Sequence, residues 1–81
     1  MKLEYTELIV FKSGVTTLMT KIFDVDGMRN GIVYLSDKEG DRIWIAEERI
    51  DSGPESANIM LGRGKMPLER VDYCLAEIKK V

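Results

Sequence analysis

The sequence predicts an α+β domain: a curled antiparallel sheet of four or five strands with one C-terminal helix covering its aliphatic face. Three observations carry that reading. Segments rich in β-branched and aromatic residues recur between Leu3 and Ala46, separated by short turn clusters. Two of these clusters, Lys12-Ser13-Gly14 and Lys38-Glu39-Gly40, are short enough to join antiparallel neighbours. Leu68, Val71, Leu75 and Ile78 recur at the spacing of a helix with one buried stripe. Val71, Tyr73 and Leu75 also alternate as a strand would, so an all-β small barrel, SH3-like or OB-like, is the alternative.

In chain order, Leu3 to Phe11 reads as a strand ending at the first turn cluster. Val15 to Val25, with Thr16, Thr17, Thr20, Ile22 and Phe23, forms its hairpin partner. Asp24 to Gly31, with two glycines and three Asx residues, reads as a loop. Ile32-Val33-Tyr34-Leu35 and Arg42-Ile43-Trp44-Ile45-Ala46 form a second hairpin. Asp37 suits the first position of its turn, and Gly40 the left-handed position that closes a three-residue loop. Glu47 to Ile50 either extends that strand or makes a short helical turn, and Asp51-Ser52-Gly53-Pro54 ends it. Ala57 to Leu61 reads as a further strand and Gly62-Arg63-Gly64-Lys65 as a flexible basic loop. Pro67 fits the first turn of the final helix, with Lys79 and Lys80 at its negative end.

The three-residue loop sets a register with consequences for both faces. It pairs Ser36 with Arg42, Leu35 with Ile43, Tyr34 with Trp44 and Val33 with Ile45. One face is then wholly aliphatic, and the other carries Tyr34, Arg42 and Trp44. A loop one residue shorter or longer mixes Arg42 and Trp44 with Val33 and Leu35, so the sorting of side chains favours three.

Composition narrows the function. The 81 residues fit one domain, 1–81, and a hydrophobic content of 44% excludes a wholly disordered chain. No apolar run approaches the roughly 20 residues of a membrane span, and the charged N-terminus lacks the apolar core of a secretory signal. A net charge of −2 argues against bulk electrostatic capture of nucleic acid. Histidine is absent, which removes the commonest neutral-pH acid–base and the commonest nitrogen ligand for metals. The single cysteine, Cys74, sits on the apolar stripe and reads as a small core residue; with no disulfide, a cytoplasmic setting is expected. Neither an enzyme nor a cofactor or metal is expected.

Three motifs stand out against that background. Lys21-Ile22-Phe23-Asp24-Val25-Asp26-Gly27 resembles the first motif of haloacid-dehalogenase-type phosphatases, an apolar strand ending in Asp-x-Asp-Gly. The resemblance implies Asp24 as nucleophile and Asp26 as acid–base, beside magnesium. It covers seven residues, Met28 replaces the usual threonine or valine, and the chain is too short for that family's parallel core; a strand entering an Asx-Gly turn is preferred. The same stretch fails as a calcium loop, with Met28 at position 5, Arg29 at position 6 and Leu35 at position 12. Gly62-Arg63-Gly64-Lys65 lacks the full phosphate-loop pattern, since Met66 and Pro67 follow, but Arg63 and Lys65 suit backbone-phosphate contact.

The favoured reading is a non-enzymatic interaction module that docks on another protein through Tyr34, Arg42 and Trp44, residue types that anchor interfaces. Single-stranded nucleic-acid binding, with bases on the aromatics and phosphates on Arg63 and Lys65, is the alternative. Acidic residues near Trp44 (Asp37, Glu39, Asp41, Glu47, Glu48 and Asp51) favour the protein partner. A homo-oligomer through an open sheet edge is a further option.

Overall fold

The computed structural model describes residues 1–57 and 68–81, which form a six-stranded antiparallel sheet in the order β4-β3-β2-β1-β6-β5. The strands are β1 (Lys2–Phe11), β2 (Thr16–Arg29), β3 (Ile32–Ser36), β4 (Arg42–Ala46), β5 (Glu55–Ser56) and β6 (Val71–Lys80). Two 3-10 turns, Glu47–Arg49 and Leu68–Arg70, are the helical elements among the described residues. The all-β alternative therefore holds in its coarse form, a small curled sheet, and the α+β expectation does not.

The C-terminal helix is the main correction. Val71–Lys80 is a strand, paired with β1 from Phe11↔Val71 to Leu3↔Lys80 and with β5 at Ser56↔Leu75. Its buried residues, Cys74, Ala76 and Ile78, follow a period of two, and the supposed helical stripe is split, with Ile78 inside and Leu75 on the opposite face. Ten residues containing Val, Tyr, Cys and Ile make a poor isolated helix, whereas β1 offers a whole edge of unpaired main-chain groups. Pairing wins. The expected strand at Ile59-Met60-Leu61 and the loop at Gly62 to Lys65 lie outside the described residues.

The first hairpin turns at Lys12-Ser13-Gly14, where the Phe11 N–H donates to the Val15 carbonyl at 2.8 Å. Gly14 supplies the left-handed residue at φ 92°. The second correction is the stretch after Val25. β2 runs on to Arg29, accommodating Asp26-Gly27 as a bulge against β3. The chain then reverses at Asn30-Gly31, both at positive φ (52° and 77°), a two-residue turn whose twist matches its flanking strands. Glu47 to Arg49 takes the short-turn option, and its Glu47 N–H donates back to the Gly31 carbonyl at 2.8 Å.

The sheet curls into a half-barrel that buries its own concave face. Leu3, Tyr5, Phe23, Val33, Leu35, Ile43, Ile45, Ala76 and Ile78 form one core cluster, so β4 and β6, four strands apart, share it. No helix is needed to cover the aliphatic face. After the 3-10 turn the chain crosses to the far side, where Ile50 bridges Ile78 and the Asp51 N–H donates to the Ile78 carbonyl at 2.8 Å. No helix among the described residues is long and apolar enough to cross a membrane.

Candidate functional site

The β3–β4 hairpin is built by Asp37. Its Oδ1 accepts the N–H groups of Glu39 (3.0 Å) and Asp41 (2.8 Å), and Gly40 closes the loop at φ 90°. The pairs run Ile32↔Ala46, Val33↔Ile45, Tyr34↔Trp44, Leu35↔Ile43 and Ser36↔Arg42, as the three-residue loop requires. Val33, Leu35, Ile43 and Ile45 are buried in the core. Trp44 is 66% exposed and Tyr34 42%, with Arg42 exposed beside them.

The structure thus brings Tyr34, Arg42 and Trp44 together on the convex face, at the end of the sheet formed by β4. Tyr34 also faces Gly27 on its other side, which leaves the phenol without a cross-strand side chain there. Neither a Tyr34–Trp44 ring contact nor a cation–π contact to Arg42 occurs among the described residues; the contacting ring pair is Tyr5–Phe23 inside the core. The three are adjacent side chains open to solvent. Arg63 and Lys65 lie outside the described residues.

The acidic rim read from the sequence is altered by Lys21. Its ammonium lies 2.8 Å from Asp37 Oδ2, also binds Asp41, and lies 4.0 Å from Glu39. The Asp37 side chain is nearly buried by this arrangement. Hydrogen bonding to Lys21, helped by the two turn N–H groups, holds the Asp37 carboxyl below its ordinary value of 3.8, and the two aspartates raise Lys21 above its ordinary 10.5. Lys21 thus offsets part of the turn's negative charge, and the turn carboxylates together with Glu47, Glu48 and Asp51 leave the surroundings of Trp44 acidic.

These shifts predict an acid response. A carboxyl lowered on folding contributes stability in full above its unfolded value and loses it as pH falls through the folded one. Denaturant titrations should find stability falling below about pH 4. Lys21→Met should be less stable than the parent at neutral pH and lose less between pH 5 and pH 2; parallel profiles for the two proteins would refute the assignment. Lys21 acts with the opposite sign, its share fading only as pH rises above its ordinary range.

A second polar group lies inside the barrel, unnoticed in the sequence. Glu7 is fully buried and accepts a 2.8 Å hydrogen bond from the Tyr5 hydroxyl. Burial, reinforced by Glu7, pushes the Tyr5 phenol far above its usual range, and burial followed by Glu7 also raises the Cys74 thiol. Cys74 is thus a core thiol, away from the reactive range. Strict alternation of Leu3, Tyr5, Glu7 and Ile9 was the available signal, because it places Glu7 on the inward side.

The remaining candidates gain no support as chemistry. Asp24 is engaged by Lys2 at 2.8 Å, and Asp26, in the bulge, accepts from the Ser36 hydroxyl at 2.9 Å. β2 continues through both in an antiparallel sheet, so the strand-end placement implied by the phosphatase-like motif is not found. No cluster of three or more metal-ligating side chains occurs among the described residues. An open cleft of about 420 Å³ lies between Met1, Val25, Met28, Val33 and Ile50, with Glu47 and Lys80 also lining it. The convex face carries another apolar row unseen in the sequence, Leu18–Leu8–Leu75, where Leu18 is largely exposed. No protein-family model matches this chain, and neither does any curated protein or solved structure.

Proposed function

We propose that the domain is a small non-enzymatic interaction module that docks on another protein through the Tyr34–Arg42–Trp44 surface. The observation that carries the reading is the two-thirds exposure of Trp44, held at the centre of β4, an edge strand among the described residues, beside Tyr34 and Arg42. An indole so placed offers a large apolar area at little rotamer cost, and arginine adds donors; both types dominate interface hot spots. A regulatory role in a reducing, cytoplasmic compartment fits the free core thiol of Cys74.

Trp44→Ala should weaken capture of a defined partner by more than about 30-fold, the effect of losing a hot spot of roughly 2 kcal/mol, with the circular dichroism spectrum unchanged. Leu18→Ala, on the same face but well before the stretch of β2 that pairs with β3 (from Asp24 onward), should leave capture intact. Equal binding by Trp44→Ala and the parent would refute the reading. The alternative is stacking of unpaired nucleic-acid bases on Tyr34 and Trp44, with Lys21 offsetting part of the charge of Asp37 and Asp41. Its signature is affinity for oligonucleotides that falls steeply with added salt; absence of binding at low ionic strength removes it.

A further inference from the structure

The β4 edge carries a second consequence, in the main chain rather than the side chains. Alternate pairs of an antiparallel ladder exchange hydrogen bonds, and the pairs between them point their N–H and C=O groups away. On the β3–β4 hairpin the bonded phase is marked at both ends, by Asp37 N–H to the Asp41 carbonyl (3.0 Å) and Glu47 N–H to the Gly31 carbonyl (2.8 Å). Leu35–Ile43 and Val33–Ile45 therefore bond inward, and Arg42, Trp44 and Ala46 turn their main-chain groups outward. Among the described residues β4 has β3 as its sole partner. The strand contains no proline, lysine, glycine or bulge to discourage pairing. The opposite edge, β5, is two residues long.

We infer that β4 pairs antiparallel with β4 of a second copy of this chain about a twofold axis through Trp44, joining two half-barrels into one continuous sheet. In that register Trp44 opposes Trp44, and Arg42 opposes Ala46, at both ends. Every outward main-chain group of the three residues then finds a partner, about six hydrogen bonds in all. The side chains agree with this alignment. Arg42 lies diagonal to the second copy's Trp44, a cation–π contact that Arg42 lacks among the described residues of its own chain. A shift of two residues loses part of the hydrogen bonding. The inference does not depend on the docking reading; if both hold, the dimer presents a doubled Tyr34–Trp44 surface.

Sedimentation of the full chain tests it. The parent should show concentration-dependent association to twice 9.2 kDa. Ala46→Pro is the decisive variant: Ala46 has φ −69°, which proline adopts without strain, and the N–H it removes is one that points outward. It should keep the parent spectrum and remain monomeric. Arg42→Glu should weaken association at least tenfold while Arg42→Lys, which keeps the cation over the indole, should retain most of it; this decides the matter even if the proline variant misfolds. A parent that stays monomeric at all concentrations would overturn the inference. So would a folded Ala46→Pro that still dimerises, or an Arg42→Glu variant that associates like the parent. Tyr34→Ala separates the two proposals, since Tyr34 lies on β3 and its loss trims the docking surface while leaving the β4 edge and its side chains intact.

Discussion

Leu35→Asp is expected to abolish cooperative folding, while Tyr34→Asp, one residue away, leaves the domain folded. Leu35 is 1% exposed and belongs to the cluster that joins β3 to β4, β2 and β6. A carboxylate there loses roughly 1.5–3 kcal/mol of apolar burial and adds several kcal/mol for an unpaired buried charge. Total stability for domains is about 5–15 kcal/mol, and a chain this short sits near the lower end. Tyr34 points to the convex, solvated side, where surface substitutions usually change stability by about 0.5 kcal/mol or less. Thermal melts followed by circular dichroism should show no transition for Leu35→Asp and a near-parental one for Tyr34→Asp. Similar losses from both would mean that the hairpin does not sort its residues by face.

Phe23→Ala should destabilise the domain by about 3–5 kcal/mol, the range for removing a buried aromatic ring. Phe23 is fully buried on β2 and meets Tyr5 of β1 edge to face, with ring centroids 6.0 Å apart and planes at 88°. Its loss leaves a cavity beside the Tyr5 ring and removes a favourable ring contact. At about 4–8 °C per kcal/mol for a domain of this size, the melting temperature should fall by more than about 12 °C. Urea titration with an unchanged slope would confirm lost stability rather than a changed unfolded state. Ile22→Ala, on the exposed side of the same strand, is the control and should change little. A Phe23→Ala variant within 1 kcal/mol of the parent would show that the curled face is not a packed core.

The local chemistry of turns was legible residue by residue. Lys12-Ser13-Gly14 and Asp37 to Asp41 each announce a three-residue loop with a left-handed glycine, and the second loop determines which face carries Trp44. Asn30-Gly31 carried an equally strong hairpin signal, but the nearby Asp24, Asp26 and Gly27 obscured it by suggesting one long loop. A bulge can hold turn-type residues inside a strand, and composition alone does not distinguish the two. The pairing of Lys21 with Asp37 and Asp41 could not be read from spacing, since it spans the gap between two hairpins.

What the sequence determined by itself was short-range: two hairpin turns, the register between β3 and β4, and the outward setting of Tyr34, Arg42 and Trp44. These depend on loop length and a side-chain period of two, both contained within about fifteen residues. Only the tertiary structure decided that Val71–Lys80 is a strand, that the sheet covers itself, and that Glu7 lies inside while Lys21 bridges the turn carboxylates. Each of those outcomes depends on a partner distant in the chain. The open edge of β1 selects the strand form of a segment whose own pattern admitted helix or strand, and only the curled sheet places distant charges within hydrogen-bonding reach.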